Sequence, residues 1–270
     1  MGIFFVGGSQ RSGTTVFQEL LCQDPATNPM VREVSYLHRL VEAYRFGEEE
    51  FDNDTCSYFD DLTSLRRFNA ELVERFIDHV SRRFNPASHL ILKHPELTPY
   101  FPDLHELLPE AHILLIVRDP RDIIASMIEV GSKLKQAGVE HIFQGRNMSQ
   151  LCHYVYSFYL PALNCDRPEF RSRMTVIRYE DLTRTPEQVM ANLRAFTGLP
   201  LEVNPAENPQ GAAMAAVAVA PRLQAWQTTQ SGKPLTDSSI GRYRQVLTRT
   251  EIRTIEKEMA EYLRGFGYAT

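Results

Sequence analysis

The sequence predicts an α/β fold: a parallel β-sheet with a P-loop-like turn, flanked by helices. Three observations predict it. Short apolar runs alternate with stretches of helical spacing, the first run leads into a glycine-rich turn, and no apolar run reaches the ~18 residues that would span a membrane. Alternation of strands and helices is typical of a parallel sheet with crossover connections. Because the 270 residues contain no repeat and no evident linker, we expect residues 1–270 to form one domain.

Four apolar runs are the predicted strands, at residues 3–6, 90–92, 113–117 and 174–177. The third is the most strand-like, with four successive branched residues before a valine. Each run is followed by a stretch with helical spacing of apolar residues, and residues 35–84 are mostly helical apart from a polar break near residues 52–54. The sheet therefore has a helix after each of its strands.

Helix boundaries carry recognisable capping residues. Asp119 can cap a helix that Pro120 opens, and Thr185 is expected to cap the helix that starts at Pro186. Near the C-terminus, Thr248 and the glutamate three residues later form a possible capping box for a helix that runs to Gly265.

The composition limits the function classes. A formal net charge of −5 disfavours binding to nucleic acid or other broad polyanions, so any positive charge that binds phosphate must be local. The four cysteines have no CxxC spacing and indicate reduced thiols rather than a disulfide frame or a zinc site. With no basic segment before the first apolar run, we expect a cytoplasmic protein that has no secretory signal and no bound metal.

The segment from Gly8 to Thr15, Gly-Ser-Gln-Arg-Ser-Gly-Thr-Thr, lies between a predicted strand and a predicted helix. Its glycines allow a tight turn, and the backbone N–H groups at a helix N-terminus attract anions. The spacing is that of a Walker loop, but Thr14 occupies the lysine position, which disfavours hydrolysis of ATP or GTP. A GxGxxG dinucleotide fingerprint is also absent, and the basic residue of the loop is Arg11.

This loop resembles the 5′-phosphosulfate loop of sulfotransferases that use 3′-phosphoadenosine 5′-phosphosulfate (PAPS), and the Arg-Ser-Gly-Thr-Thr string is closest to the carbohydrate and tyrosylprotein branches. The resemblance implies a sulfotransferase fold. It also implies that the loop holds the 5′-phosphosulfate through its N–H groups and hydroxyls, while Arg11 stabilises the bridging oxygen. The implied loop ligands are Gln10, Arg11, Ser12, Gly13, Thr14 and Thr15.

A second string, from Val117 to Ser126, resembles the 3′-phosphate site of the same family. There an arginine ends a strand and a serine follows eight residues later. The resemblance implies that Arg118 binds the 3′-phosphate through two parallel hydrogen bonds and that Ser126 donates one further hydrogen bond to it.

Three further residues match the family more weakly. Tyr179 begins a Tyr-Glu-Asp segment whose tyrosine approaches the adenine in the family, although a core tyrosine at a strand end is the alternative. Lys233 and Arg242 lie in strings that resemble the late loop over the nucleotide and are candidate 3′-phosphate ligands. Exposed basic residues of a glycine-containing loop would look the same.

Sulfuryl transfer needs cations near the departing phosphate oxygen and a base for the acceptor proton. Arg11 and Lys93, which ends the second predicted strand, are the candidate cations. Glu33 and His94 are rival bases; Glu33 aligns only loosely with the catalytic glutamate of the tyrosylprotein branch, and Arg32 stands where that branch has another glutamate.

The sequence therefore predicts an enzyme that transfers a sulfuryl group from PAPS to an acceptor hydroxyl or amine, releases 3′,5′-ADP and needs no metal. The acceptor is a small molecule, a lipid or a peptide, and neither its identity nor the oligomeric state can be read from the sequence. The alternatives are a P-loop phosphotransferase or NTPase, motivated by the Walker-like spacing, and a non-catalytic nucleotide-binding protein.

Overall fold

The computed structural model describes residues 1–198, 226 and 236–269. Its sheet has four strands, β1 (Gly2–Gly7), β2 (His89–Lys93), β3 (His112–Val117) and β4 (Met174–Arg178), in the order β2-β1-β3-β4. Every neighbouring pair is parallel. The predicted α/β class and all four predicted strands are therefore confirmed.

Helices follow each strand. In chain order they are α1 (Thr14–Leu21), α2 (Ser35–Glu49), α3 (Leu62–Arg83), α4 (Phe101–Leu107), α5 (Pro120–Gln136), α6 (Met148–Asn164), α7 (Pro168–Ser172), α8 (Tyr179–Arg184), α9 (Pro186–Thr197), α10 (Tyr243–Val246), α11 (Arg249–Glu258) and α12 (Ala260–Gly265). Short 3₁₀ helices span Thr55–Ser57, Pro95–Tyr100 and Ile142–Gln144.

The core lies on both faces of the sheet. Successive residues of β1 alternate between the faces, so Phe5 packs with α2, α4 and α6, while Phe4 packs with α1 and α9. Because both faces are covered by helices, the strands read as continuous apolar runs, and the sheet can offer a ligand only the edge where the strands end.

The capping predictions have mixed outcomes. The Asp119 side chain accepts a hydrogen bond from the N–H of Arg121, and Thr248 with Glu251 forms the predicted capping box. Thr185 is the N-cap residue of the helix that starts at Pro186, as predicted, but its side chain does not cap that helix. Its hydroxyl donates instead to the carbonyl of Asp181, because α8 runs up to Arg184. The predicted C-terminal helix is also broken at Met259 into α11 and α12.

None of the helices within the described residues is both long and apolar enough to cross a bilayer.

Candidate active site

The glycine-rich loop leaves β1 and presses against the neighbouring strand β3. Gly8 and Gly13 have φ of 146° and 105°, which L side chains rarely adopt. A Cβ on Gly8 would lie 2.4 Å from the carbonyl oxygen of Ile116, and one on Gly13 would lie 2.4 Å from the Tyr179 ring. Both positions therefore need glycine for two reasons, conformation and space. The loop ends where α1 begins, at Thr14. The first N–H groups of a helix have no partners within the helix.

Three long-range hydrogen bonds fix the loop to the rest of the fold. The N–H of Gly8 donates to the Thr98 hydroxyl at 2.9 Å, and the N–H of Ser9 donates to the Tyr159 hydroxyl at 3.1 Å. The Gln10 side-chain amide donates to Glu96 at 2.5 Å. The first half of the loop is therefore bound to protein, which leaves its second half and the start of α1 for a ligand.

Arg11 and Ser126 lie together, as the two motifs predict. The Nε of Arg11 donates to the Ser126 hydroxyl at 3.0 Å, and a terminal nitrogen donates to the carbonyl of Trp226 at 2.9 Å. Burial, and then the positive charge of Arg118, lower the pKa of Arg11 to about 10. The guanidinium is therefore still charged at neutral pH, and an anion beside it would be stabilised.

Arg118 follows the last residue of β3 and contacts the loop at Arg11. One terminal nitrogen donates to the carbonyl of Arg11 at 3.2 Å and the other to the carbonyl of Ser239 at 2.7 Å. The guanidinium lies 4.3 Å from the centre of the Tyr179 ring. Among the described residues, most arginines that form an ion pair have a carboxylate oxygen within 2.9 Å. Neither Arg11 nor Arg118 forms an ion pair with a carboxylate in this part of the chain. Two adjacent positive charges that lack a contacting carboxylate are suited to a ligand with phosphate groups.

The remaining loop and nucleotide candidates differ in position. Ser12 and Thr14 are buried, whereas Gln10 and Thr15 are partly exposed. Tyr179 is buried against Gly13, and its hydroxyl is 2.8 Å from the Ser239 hydroxyl, so it has a packing role in this structure. Arg242 is paired with Glu129 at 2.6 Å, and Lys233 lies outside the described residues.

Lys93, Glu33 and His94 form a second cluster, at the carboxyl end of β2. The Lys93 ammonium is 2.9 Å from one Glu33 oxygen, and Nδ1 of His94 is 3.9 Å from the other. Glu33 lies in an irregular segment between α1 and α2. This segment pairs with β2 at Thr27, and the N–H of Val34 donates to the Lys93 carbonyl. Glu33 thus lies on a segment that is attached to the edge of the sheet at β2.

Glu33 and His94 of this cluster have different protonation behaviour. Burial raises the pKa of Glu33, but the charge and hydrogen bond of Lys93, aided by His94, outweigh burial and leave that pKa below its ordinary value. Burial lowers the pKa of His94 to about 4, against the opposing pull of Glu33. At neutral pH Glu33 is therefore a carboxylate and the His94 imidazole is uncharged.

The sheet order brings the two clusters together. Val6, just before the loop, is in register with Lys93, and Gly7 is in register with Leu115 of β3. Strand β1 lies between β2 and β3, so the loop that carries Arg11 lies between Lys93 and Arg118. The carboxyl edge of a parallel sheet is where such folds place ligands.

Sequence reasoning missed the residues that fix this geometry from a distance: Thr98, Tyr159, Ser239, Tyr262 and Glu96. Two of them had a local signal: Glu96 follows the Lys-His-Pro string at the end of β2, and Ser239 begins the string that contains Arg242. Burial raises the pKa of Glu96, opposed by the hydrogen bond from Gln10, and the nearby charge of Glu33 raises it further. The described residues also include no group of three or more His, Cys, Asp or Glu side chains suited to hold a metal ion.

The fold and site define an α/β protein whose two arginines at the carboxyl edge of the sheet are suited to an anionic ligand. Residues 4–203 match the profile of the Sulfotransferase family, so the chain belongs to that family.

Relatives and solved structures agree. The chain is 26% identical over 203 residues to protein-tyrosine sulfotransferase 1 of Danio rerio, with 74% of this chain and 54% of the relative covered. It is 30% identical over 127 residues to carbohydrate sulfotransferase 5 of Mus musculus, with 42% of this chain and 32% of the relative covered. The chain thus spans about half the length, or less, of these relatives.

Two solved structures share the fold. The sulfotransferase domain of the Synechococcus PCC 7002 olefin synthase has a TM-score of 0.60 at 18% identity, with 100% of this chain and 96% of that chain covered. A sulfotransferase of Mycobacterium avium has a TM-score of 0.53 at 18% identity, with 98% and 77% covered. At these identities the likeness establishes the fold, and the predicted sulfotransferase fold is confirmed.

Proposed function

We propose that this chain transfers the sulfuryl group of PAPS to an acceptor hydroxyl or amine by in-line displacement and releases 3′,5′-ADP. The observation that carries the proposal is the pair of guanidinium groups, Arg11 in the loop and Arg118 after β3, joined through the Arg11 carbonyl and without a contacting carboxylate among the described residues. Such a pair suits a ligand that has negative charge at two separate positions, as an adenosine with both a 3′- and a 5′-phosphate group has.

The donor site has one set of groups for each end of the ligand. The start of α1 and the hydroxyls of Thr14 and Thr15 would bind the 5′-phosphosulfate, and Arg11 would stabilise the negative charge that builds on the departing phosphate oxygen. Arg118 would bind the 3′-phosphate with Ser126, once Ser126 exchanges its contact with Arg11 for one with the ligand. A sulfuryl group carries less charge than a phosphoryl group, so these fixed cations can act without a metal.

Lys93 and Glu33 supply the acceptor side of the reaction. Lys93 can stabilise the transferring group, while Glu33 accepts the proton of the acceptor as the new bond forms. Glu33 is the better base of the two rivals on grounds of access: about half of its side chain is exposed, whereas His94 is buried. The low pKa of Glu33 ensures an ionised carboxylate at neutral pH, although it makes that carboxylate a weaker base.

For the acceptor we propose a hydroxyl compound. The named relatives are protein-tyrosine and carbohydrate sulfotransferases, and both names specify acceptors with hydroxyl groups. A hydroxyl needs the base that Glu33 provides, because an uncharged oxygen must lose a proton to become a good nucleophile.

Calorimetry with 3′,5′-ADP and with ATP tests the donor. We expect 3′,5′-ADP to bind much more tightly than ATP, and Arg118→Ala to weaken 3′,5′-ADP by roughly 100-fold, as expected for the loss of two charge-assisted hydrogen bonds. Arg75→Ala is the matched control, since Arg75 is an exposed arginine on α3 whose ion pair within the described residues is a long contact with Glu71, at 3.9 Å. Equal affinity for ATP, or magnesium-dependent ATP turnover, would favour the phosphotransferase alternative. Binding of 3′,5′-ADP without transfer to any acceptor would favour a non-catalytic binding protein.

A further inference from the structure

Two buried tyrosine hydroxyls contact the backbone of the two predicted phosphate sites, at Ser9 in the loop and at Arg118 after β3. The first is Tyr159, on α6. Its hydroxyl accepts a hydrogen bond from the N–H of Ser9 at 3.1 Å and donates to the carbonyl of Ile116 at 3.2 Å. Ser9 belongs to the loop, and Ile116 is near the end of β3. The hydroxyl therefore joins the two backbones just beyond the last paired residues of the β1–β3 ladder, Gly7 and Leu115.

The second is Tyr262, on α12. Its hydroxyl accepts from the N–H of Arg118 at 3.3 Å and donates to the carbonyl of the same residue at 3.2 Å. In an extended strand, the N–H and C=O of one residue point to the same side, and a neighbouring strand normally pairs with both. Tyr262 takes the place of that neighbour, and it fixes the backbone from which the Arg118 side chain projects.

The two tyrosines also contact each other. Their ring centres are 5.4 Å apart, and the side chains are fully buried or nearly so. Burial raises the pKa of each hydroxyl, so both stay protonated and can act as donor and acceptor at once. The aromatic contact between Tyr159 and Tyr262 thus connects the residue that supports the loop with the residue that supports Arg118.

We propose that Tyr159 and Tyr262 are positioning residues that set the distance between the 5′-phosphosulfate loop and the 3′-phosphate arginine. The proposal rests on the proposed function, because it assigns the two motifs to the two ends of one ligand. Neither hydroxyl touches the ligand; each acts through the backbone of a residue beside it.

The hydroxyls do not act equally. Removal of the Tyr262 hydroxyl leaves the N–H and C=O of Arg118 buried and unpaired, and burial of unpaired groups is costly enough to move the backbone. The affected group is the one that binds the 3′-phosphate. Removal of the Tyr159 hydroxyl frees the N–H of Ser9 and the carbonyl of Ile116, and this disturbs the loop that every 5′-phosphorylated ligand uses.

Binding of 3′,5′-ADP and of 5′-AMP separates these effects. The dissociation constant of 5′-AMP divided by that of 3′,5′-ADP measures how much the 3′-phosphate strengthens binding. For Tyr262→Phe we expect the ratio to fall about tenfold, with 5′-AMP affinity nearly unchanged. For Tyr159→Phe we expect both ligands to weaken about tenfold, with the ratio unchanged. Tyr58→Phe is the control: it removes the hydroxyl of a tyrosine that is 74% exposed and has no part in the site, and it should change neither constant.

The outcomes distinguish the two proposals. If wild-type protein does not prefer 3′,5′-ADP to 5′-AMP, the proposed function fails. If wild type shows the preference and Tyr262→Phe keeps the full ratio, the positioning role is wrong.

Amide hydrogen exchange on wild-type protein without ligand tests the same contacts and does not depend on whether the variants fold. The Ser9 and Arg118 amides should exchange slowly. Exchange at the rate of exposed amides would overturn the proposal.

Discussion

The ion pair between Lys93 and Glu33 gives the most direct test of the acceptor side. Lys93→Met keeps an unbranched apolar stem of similar length and removes only the charge, so the packing around this nearly buried side chain should survive. The ammonium is 2.9 Å from the carboxylate, and it is the main reason that the pKa of Glu33 is low despite burial. Removal of the charge should therefore raise the pKa of Glu33.

The size of the change follows from the exposure of the pair. An adjacent opposite charge lowers a carboxylate pKa, and water screens that effect here because the Glu33 side chain is 48% exposed. We therefore expect the pKa of Glu33 to rise in Lys93→Met, with the size of the rise limited by this screening. A carboxyl with a lowered folded-state pKa stabilises the fold above its unfolded pKa of about 4.3, and this contribution is lost as the pH falls through the folded value. The stability cost of Lys93→Met should therefore be present at pH 7 and shrink in acid.

The assay is an NMR titration of protein labelled with ¹³C at the glutamate carboxyl carbons. Glu33→Gln identifies the resonance, and no acceptor substrate is needed. Lys135→Met, which removes an exposed lysine of α5, is the control for a general change in net charge. An unchanged Glu33 pKa in Lys93→Met would refute the ion pair, and with it the argument that Lys93 holds Glu33 ionised.

Two further predictions concern the base and the late segment that contacts Arg118. In single-turnover transfer to a hydroxyl acceptor, Glu33→Gln should slow the reaction at least ~100-fold, whereas His94→Gln should slow it less than about tenfold; the reverse order would make His94 the base. Asp122→Ala removes the carboxylate that accepts from the N–H groups of Gly241 and Tyr243 at 2.7 and 2.9 Å, and it should lower the free energy of unfolding in urea by about 1–3 kcal/mol. An unchanged urea midpoint would show that these two bonds do not hold the segment on α5.

The parts of the fold that were predictable have local causes. A strand that ends at a glycine pair, or at an arginine followed by Asp-Pro, shows its boundary within a few residues, and the strand bounds agree with the prediction to within a residue or two. The Thr248 and Glu251 capping box is equally local, because both partners lie within one turn. The Thr185 side chain departs from the prediction where two helices adjoin, since a threonine there can satisfy either one.

The unpredicted parts of the site depend on contacts between residues far apart in the chain. Tyr159 contacts Ser9 across 150 positions, and Tyr262 contacts Arg118 across 144. Each tyrosine lies in a helix whose sequence indicates only an apolar face. A hydroxyl that pairs with the backbone of a distant strand end leaves no periodicity or spacing by which the sequence could reveal it.

Under the proposed function, the order of the strands also predicts from which side the acceptor approaches. Neighbouring strands are about 4.8 Å apart, and the Arg11 loop on β1 lies between Arg118 on β3 and Lys93 on β2. A donor whose 3′-phosphate is bound at β3 must therefore direct its opposite end toward β2. In-line displacement requires the nucleophile to approach opposite the departing oxygen, which places the acceptor beside Glu33. On this mechanism, the residues that choose the acceptor lie around α2, which begins two residues after Glu33, and around the Pro95–Tyr100 helix, rather than around β4.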